Sequence, residues 1–323
     1  MDMSRYLQSK CIDINSAYCP CILADTNHCV FCAHLQGKEM CDCNWSGVCI
    51  LYEKKWNARN ETLVTRDPRP ELACPIVERK FLRENICRLV LTVPPPLAEQ
   101  LKAPGSYVFL KRAVDPHYFQ LPIGVMQVPA EDKIVVVLET VGPKSRQVTE
   151  EDQMLMVRGP YKNGIFGLPW IEKLVYGKVL LLAGGMGQPP ALPIAERLIN
   201  NYNKVTAIIA PGAAGFINVE ELQLAGVELL QVKSLRRMGY ACLADKLRAD
   251  TWDLLVSCGP DAQHFAVIDA VREAGVELPI AATNNSIMCC GEGICGSCAK
   301  ETADHHFVRT CKMQLDFADL KHL

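Results

Sequence analysis

The sequence predicts α/β plus all-β architecture: an antiparallel β-barrel, then a parallel α/β domain, with cysteine-rich segments at both ends. Three observations predict it. From Cys74 to about Val157, short apolar runs are separated by Pro, Gly and charge, the pattern of a small antiparallel barrel. From Lys178 the rhythm changes to strand, glycine loop, helix, which marks a parallel sheet covered by helices. The seventeen cysteines are not spread evenly, since eight fall within residues 1–60 and a tight run occupies 289–298. At 323 residues, 49% of them hydrophobic, the chain can bury two or three cores.

Taken in order, residues 1–60 carry Cys11, Cys19, Cys21, Cys29, Cys32, Cys41, Cys43 and Cys49 with little hydrophobic periodicity. Such a segment needs a cross-link to hold shape. Eight thiolates suffice for two tetrathiolate sites: one or two [4Fe–4S] clusters, or zinc as the alternative. The run C-x2-C-x2-C-x3-C-P of bacterial ferredoxins is absent. His28 and His34 are further candidate ligands, and Trp45, Tyr52 and Trp56 are expected to pack this head onto the body. Residues 61–72, with Asp-Pro-Arg-Pro, read as a linker. The barrel is assigned to 73–168, with strands expected at Ile86–Val93, Tyr107–Lys111, Pro122–Val128 and Ile134–Thr140. The α/β domain is assigned to 169–282, with strands at Val179–Ala183, Val205–Ala210, Val227–Val232 and Leu254–Cys258. Residues 283–323 form the closing cysteine segment.

That segment carries the most specific chemistry. Cys290, Cys295 and Cys298 give C-x4-C-x2-C, with Cys311 thirteen positions on, the plant-type ligand spacing of a [2Fe–2S] cluster. Gly291, Gly293 and Gly296 allow a tight curl that aims N–H groups at sulfur. A zinc knot or a loop of buried thiols is the alternative, but zinc ribbons usually pair two C-x2-C knuckles and only one is present.

A second signal is Gly184-Gly-Met-Gly187 between an apolar run and an amphipathic helix. A glycine loop there places backbone N–H groups and the helix dipole against a diphosphate. Pro190 near the helix start needs no N–H partner. Cys258-Gly259-Pro260 ends a later strand, and loops at the carboxyl ends of parallel strands open on one edge. Each loop alone is equally an ordinary tight turn; the pair points to a dinucleotide.

Barrel, GGxGxxP loop, Cys-Gly-Pro turn and terminal cysteine motif, in that order, resemble the ferredoxin–NADP reductase superfamily. More narrowly, residues 73–323 resemble the electron-transfer subunits of dihydroorotate dehydrogenase B and the small subunits of NADH-dependent ferredoxin:NADP oxidoreductases and sulfide dehydrogenases. The resemblance implies FAD in the barrel, NAD or NADP on the α/β domain, and a cluster relaying single electrons. Gln120-Leu121-Pro122-Ile123-Gly124 stands in place of that family's Arg-x-Pro-Leu-Thr flavin motif. Gly142-Pro-Lys144-Ser145 resembles its flavin-phosphate turn, and Gly159-Pro160-Tyr-Lys-Asn-Gly164 the turn leading out of the barrel. By the same analogy Cys258 lies near the nicotinamide as a packing element, not a nucleophile. Departures are Gln120 for an arginine, with Lys144 and Arg146 on hand to compensate, and Asn285 where relatives have glutamate. The usual Gly-Pro-Val-Phe after the fourth cysteine is also missing. Arg236 and Arg237 replace an acidic segment and suit a 2′-phosphate, a solvated basic turn being the equal alternative.

The net charge of −2 leaves no footprint for nucleic acid, and no run approaches about 18 apolar residues, so no membrane span is expected. The first ten residues lack an apolar signal region, which with so many cysteines predicts a reducing cytoplasm. The expected activity is an NAD(P)H-dependent oxidoreductase, a subunit of a hetero-oligomer, passing electrons to a ferredoxin or a catalytic redox subunit. A scaffold with an empty barrel and a zinc-binding head is the reading from another class, and Gln120 is the feature that favours it. A dedicated dihydroorotate dehydrogenase subunit ranks lower, because the cysteine head is an unusual addition.

Overall fold

Six strands, β1 (Glu71–Arg83), β2 (Ile86–Thr92), β3 (Tyr107–Lys111), β4 (Leu121–Ala130), β5 (Lys133–Glu139) and β6 (Met154–Tyr161), close into an antiparallel barrel ordered β1-β2-β5-β4-β3-β6. The computed structural model describes residues 12–13, 18, 69–150, 152–293, 295–303, 305 and 307–321. The eight N-terminal cysteines, His28, His34 and residues 61–68 therefore lie outside the described residues. β1 closes the barrel because it serves two partners. Glu71–Pro75 pair with β6, and Ile76–Arg83 pair with β2, with register shifts after Ile76 and after Phe81. Alternate residues point inward, as a strand dictates: Leu89 and Leu91, Val108 and Leu110, Val136 and Leu138, and Leu155 and Val157 share one buried cluster. Helix α1 (Pro95–Leu101) adds Leu97, Ala98 and Leu101 to it, and the short α2 (Pro143–Val148) follows β5.

The second sheet starts with β7 (Ile165–Phe166), which pairs antiparallel at one edge. The parallel strands are β8 (Lys178–Gly184), β9 (Lys204–Ala210), β10 (Glu228–Gln231), β11 (Leu254–Cys258) and β12 (Ile280–Thr283), in the order β10-β9-β8-β11-β12-β7. Helices α3 (Leu168–Lys173), α4 (Gln188–Asn200), α5 (Val219–Leu224), α6 (Tyr240–Ala249) and α7 (Asp261–Ala274) connect them. The central strands β8, β9, β11 and β12 are mostly apolar because both faces are covered, whereas β10 at the edge has exposed Glu228 and Gln231. Val179, Leu181 and Ala183 of β8 enter one core, and Leu180 and Leu182 enter the other.

Strand order reverses between β8 and β11, so the loops after these two strands flank a switch point. The chain ends in a hairpin, β13 (Ala299–Glu301) and β14 (Phe307–Arg309), and a tail whose Phe317 packs into the α/β core. Predicted and observed strand ends agree within one residue, save at the far end of β4, where they differ by two, and the barrel starts at Glu71 inside the stretch read as linker. Among the described residues no helix is long and apolar enough to cross a membrane.

Candidate functional site

Gly184–Gly187 and Cys258–Pro260 meet at the switch point. A Cβ on Gly187 would run into the carbonyl oxygen of Cys258, and one on Gly184 would come within 2.7 Å of Leu235. The glycines are therefore set by close approach. Beside them lies a cavity of about 350 Å³ bordered by Gly185, Gly212, Lys233, Arg236, Tyr240 and Pro260. Arg236 is brought to the cavity, whereas Arg237 does not line it and its N–H caps back onto Ser234 Oγ (3.4 Å).

The Cys-Gly-Pro turn is held from behind by a buried clasp that the sequence reading missed. His264 Nε2 donates to Thr283 O (3.0 Å), because a carbonyl only accepts, so Nδ1 accepts from Ser257 Oγ (2.8 Å). The Thr283 hydroxyl accepts from Gly259 N (3.1 Å) and donates to Gly259 O (3.0 Å). Asn285 Nδ2 donates to the same carbonyl at 2.6 Å. Burial pushes the His264 pKa down to about 4, with Asp261 partly opposing, so the ring is neutral. Cys258 has no exposed surface and burial raises its thiol pKa far above the usual range, leaving it protonated and unreactive.

A second cavity, about 340 Å³, opens between β4 and the α/β domain. Pro122, Ile123 and Gly124 form one wall, and Pro190, Asn285 and Met288 are opposite. Pro190 thus faces this cavity, not the one beside the glycine loop. Ser106 Oγ and Ser286 Oγ, both at its lining, are buried without a hydrogen-bond partner among the described residues. Orphaned hydroxyls in a mostly apolar slot fit a flat heteroaromatic ligand with a polar edge. At α2, Ser145 Oγ accepts from Gly142 N (3.1 Å), a Cβ on Gly142 would meet nothing within 4 Å, and Lys144 Nζ arches over to Tyr118 O (2.5 Å). Leu121 is half-buried at the start of β4. Gln120 is turned away from solvent: its Nε2 donates to Glu71 and its Oε1 accepts from Arg158 Nη2 (2.6 Å).

Arg158 then joins the two halves of the site. Its guanidinium lies over Phe109 (4.8 Å) and donates to Cys290 O at 3.3–3.4 Å. Tyr107 lines the second cavity, donates to Met288 Sδ (2.9 Å), and stacks on Tyr161 (5.1 Å). Tyr107, Phe109, Tyr161 and Met288 form one buried cluster with Cys298 and Cys311. The cysteine loop is curled by Gly291, Gly293 and Gly296, all at positive φ (70°, 74° and 78°), and a Cβ on Gly291 would sit 2.6 Å from Tyr161. Cys290 Sγ accepts from Glu292 N (3.2 Å) and Cys295 N (3.5 Å). Burial raises the Cys295 thiol but hydrogen bonds from Ser297 and Cys290 more than offset it, to about 7. A hydrogen bond to Cys311 lowers Cys298, and the same bond raises Cys311. Cys298 and Cys311 are buried, Cys290 is partly buried and Cys295 is exposed. Among the described residues no group of three or more Cys, His, Asp or Glu side chains is placed to hold a metal ion. Donor type, N–H groups on sulfur and the glycine curl fit a tetrathiolate cluster. His305 is exposed and pairs with Glu301 (2.7 Å).

No family model matches the chain. It is similar to a probable dihydroorotate dehydrogenase B (NAD(+)) electron transfer subunit of Methanopyrus kandleri, 29% identical over 170 residues, 50% of this chain and 62% of that one. The corresponding protein of Pyrococcus horikoshii is 30% identical over 179 residues, 52% and 65% of the two chains. The match therefore spans less than two thirds of these archaeal relatives. A Bacillus cereus dihydroorotate dehydrogenase B (NAD(+)) electron transfer subunit is 26% identical over 249 residues, 73% of this chain and 92% of that one. Among solved structures, an NADH-dependent reduced ferredoxin–NADP oxidoreductase shares the fold with a TM-score of 0.63 at 21% identity, covering 77% of this chain and 89% of that one. The ferredoxin reductase of carbazole 1,9a-dioxygenase gives 0.50 at 16% identity over 67% of each chain.

Proposed function

We propose that this chain is a member of the ferredoxin–NADP reductase superfamily, an iron–sulfur flavoprotein passing electrons between NAD(P)H and a ferredoxin or a partner redox subunit. One observation carries the reading. The slot between barrel and α/β domain shares a wall, Tyr107 and Met288, with Cys298 and Cys311. A redox ligand in that slot and a group on those thiols are then separated only by packed side chains.

FAD and a [2Fe–2S] cluster, when bound, supply the conversion between hydride and single electrons. The chain's own residues position and insulate. Gly184, Gly185 and Gly187 clear space for a diphosphate, and Arg236 supplies a cation at the cavity margin. Pro122 and Ile123 line the flavin slot, Ser106 and Ser286 offer hydroxyls to it, and Lys144 provides charge near the α2 turn where an arginine is replaced by Gln120. Asn285 and the His264 clasp hold the Cys258–Pro260 turn still, and the protonated Cys258 packs without attacking. Tyr107, Phe109 and Tyr161 exclude water between slot and thiols. Cys290, Cys295, Cys298 and Cys311 are the cluster ligands. The N-terminal cysteines extend the wire as one or two further clusters, toward a partner in a hetero-oligomer in the cytoplasm.

The test is anaerobic titration with NADH, and separately NADPH, followed by absorbance and low-temperature EPR with iron, zinc and flavin counted per chain. Flavin bleaching together with a growing [2Fe–2S] signal is expected. Folded protein holding neither flavin nor iron, with zinc in the head, replaces this reading with the scaffold.

A further inference from the structure

Behind the cysteine loop lies a knot of buried charge that none of the roles above uses. Arg69, its side chain 1% exposed, donates through Nη1 to both Glu292 oxygens (2.9 and 2.7 Å) and through Nη2 to Asp13 Oδ1 (2.8 Å). Its Nε donates to Pro160 O (2.6 Å). Lys312, with no exposed surface, donates to the second Asp13 oxygen and to Glu292 Oε2 (3.0 Å). The Arg69 guanidinium lies between the rings of Tyr18 (4.6 Å) and Tyr161 (4.4 Å). Ile12 N donates to Lys312 O (2.7 Å). Two cations and two carboxylates therefore close a ring whose members stand at positions 13, 69, 292 and 312, and a third cation, Arg158, stands 3.7 Å from Glu292 Oε1 beside it.

Its placement is what asks for a role. Glu292 sits between Cys290 and Cys295, Lys312 directly follows Cys311, and Asp13 arrives from the far end of the chain. A buried ion pair is weak evidence for stability, since apolar residues of similar volume serve as well. Charges out of water are screened little and act on a neighbouring redox centre through a low effective dielectric. Net charge and hydrogen bonding around the sulfurs are the protein's means of setting a cluster's potential.

We infer that the Asp13–Arg69–Glu292–Lys312 knot fastens the N-terminal segment to the cysteine loop and sets the reduction potential of the group the four cysteines hold. The inference rests on the cluster reading proposed above. Reduction adds one electron, and so one negative charge, to the cluster without making or breaking a bond. Asp13 and Glu292 therefore oppose reduction, and Lys312 and Arg69 favour it. These are positioning and field-setting residues, none of them a ligand.

Potentiometric titration of the full-length holoprotein against mediator dyes, read by the [2Fe–2S] EPR signal, tests this. Asp13→Asn and Glu292→Gln are each expected to move the midpoint to higher potential. Lys312→Met is expected to move it lower, and the charge-balanced Asp13→Asn/Lys312→Met double variant to fall between the two singles. Glu292 is the rim of the knot, at 16% exposure, so its amide keeps the sign readable even where Asp13→Asn does not fold. Midpoints equal to wild type, or displaced in one direction whatever the sign of the charge removed, overturn the inference while leaving the cluster in place. A wild-type protein with no cluster signal overturns the cluster reading, and this inference with it.

Discussion

His264 has no exposed surface, and its protonated form would put a charge beside Ser257 and the Phe317 ring. Its pKa falls from 6.5 to about 4, mainly through burial. Between those values the unfolded chain binds a proton that the native chain refuses, so stability rises with pH across that window and is lost on acidification. The loss should approach roughly 2–3 kcal/mol by pH 4. Urea midpoints at pH 7 and pH 4.5 should show it, and His264→Gln should flatten the difference; an equal slope in both proteins contradicts the assignment. Arg236 makes a sharper residue-scale prediction. Arg236→Ala should raise KM for NADPH by about tenfold or more, the worth of one charge-assisted bond, and leave NADH within about twofold. Equal effects on both nucleotides would assign it no 2′-phosphate.

The β8–α4 connection depends on one close approach. Gly187→Ala puts a methyl group into the Cys258 carbonyl, so the two loops must part. The expected cost is about 1–3 kcal/mol, with at least about tenfold weaker nucleotide binding. Gly275, at φ 69°, ends α7 in the left-handed cap with open space around it. Gly275→Ala should cost about 1 kcal/mol through the backbone alone and leave nucleotide binding unchanged. If both variants bind nucleotide equally well, contact between the loops is not what the glycine serves.

Across the whole molecule, Asn163 ties barrel, sheet and cysteine segment together. Its Nδ2 donates to Thr310 O (2.5 Å) and Met313 O (2.9 Å), and its Oδ1 accepts from Gln314 Nε2 (2.6 Å). Asn284 Nδ2 also donates to its carbonyl (2.8 Å). Removing this fully buried amide strands several polar groups, so Asn163→Ala should cost about 2–4 kcal/mol. In the wild type, barrel and α/β domain should melt in one transition, followed by tyrosine fluorescence and far-UV dichroism together. Two separated transitions in the wild type would show that the amide is not the joint.

The order of barrel, α/β sheet and cysteine loop was legible because each rests on a local signal. Short apolar runs bounded by Pro, Gly and charge mark β2, β3 and β5, a strand–glycine–helix rhythm marks β8 and α4, and cysteine spacing marks Cys290–Cys298. The loops after β8 and β11 were legible as a pair for the same reason, since parallel topology sends both to one edge. Arg158 carried no such mark: it bridges Gln120 and Cys290 across 38 and 132 positions. Arg69 looked like part of a linker and is a buried guanidinium held by Asp13 and Glu292. The His264 clasp and the Tyr107–Met288 wall were equally silent. Sequence by itself determined the elements and their order, because apolar runs and glycine loops are properties of neighbours in the chain. Only the tertiary structure decided which charges and rings stand between the cavities and the thiols, because desolvated contacts join residues up to 299 positions apart and leave no period to read.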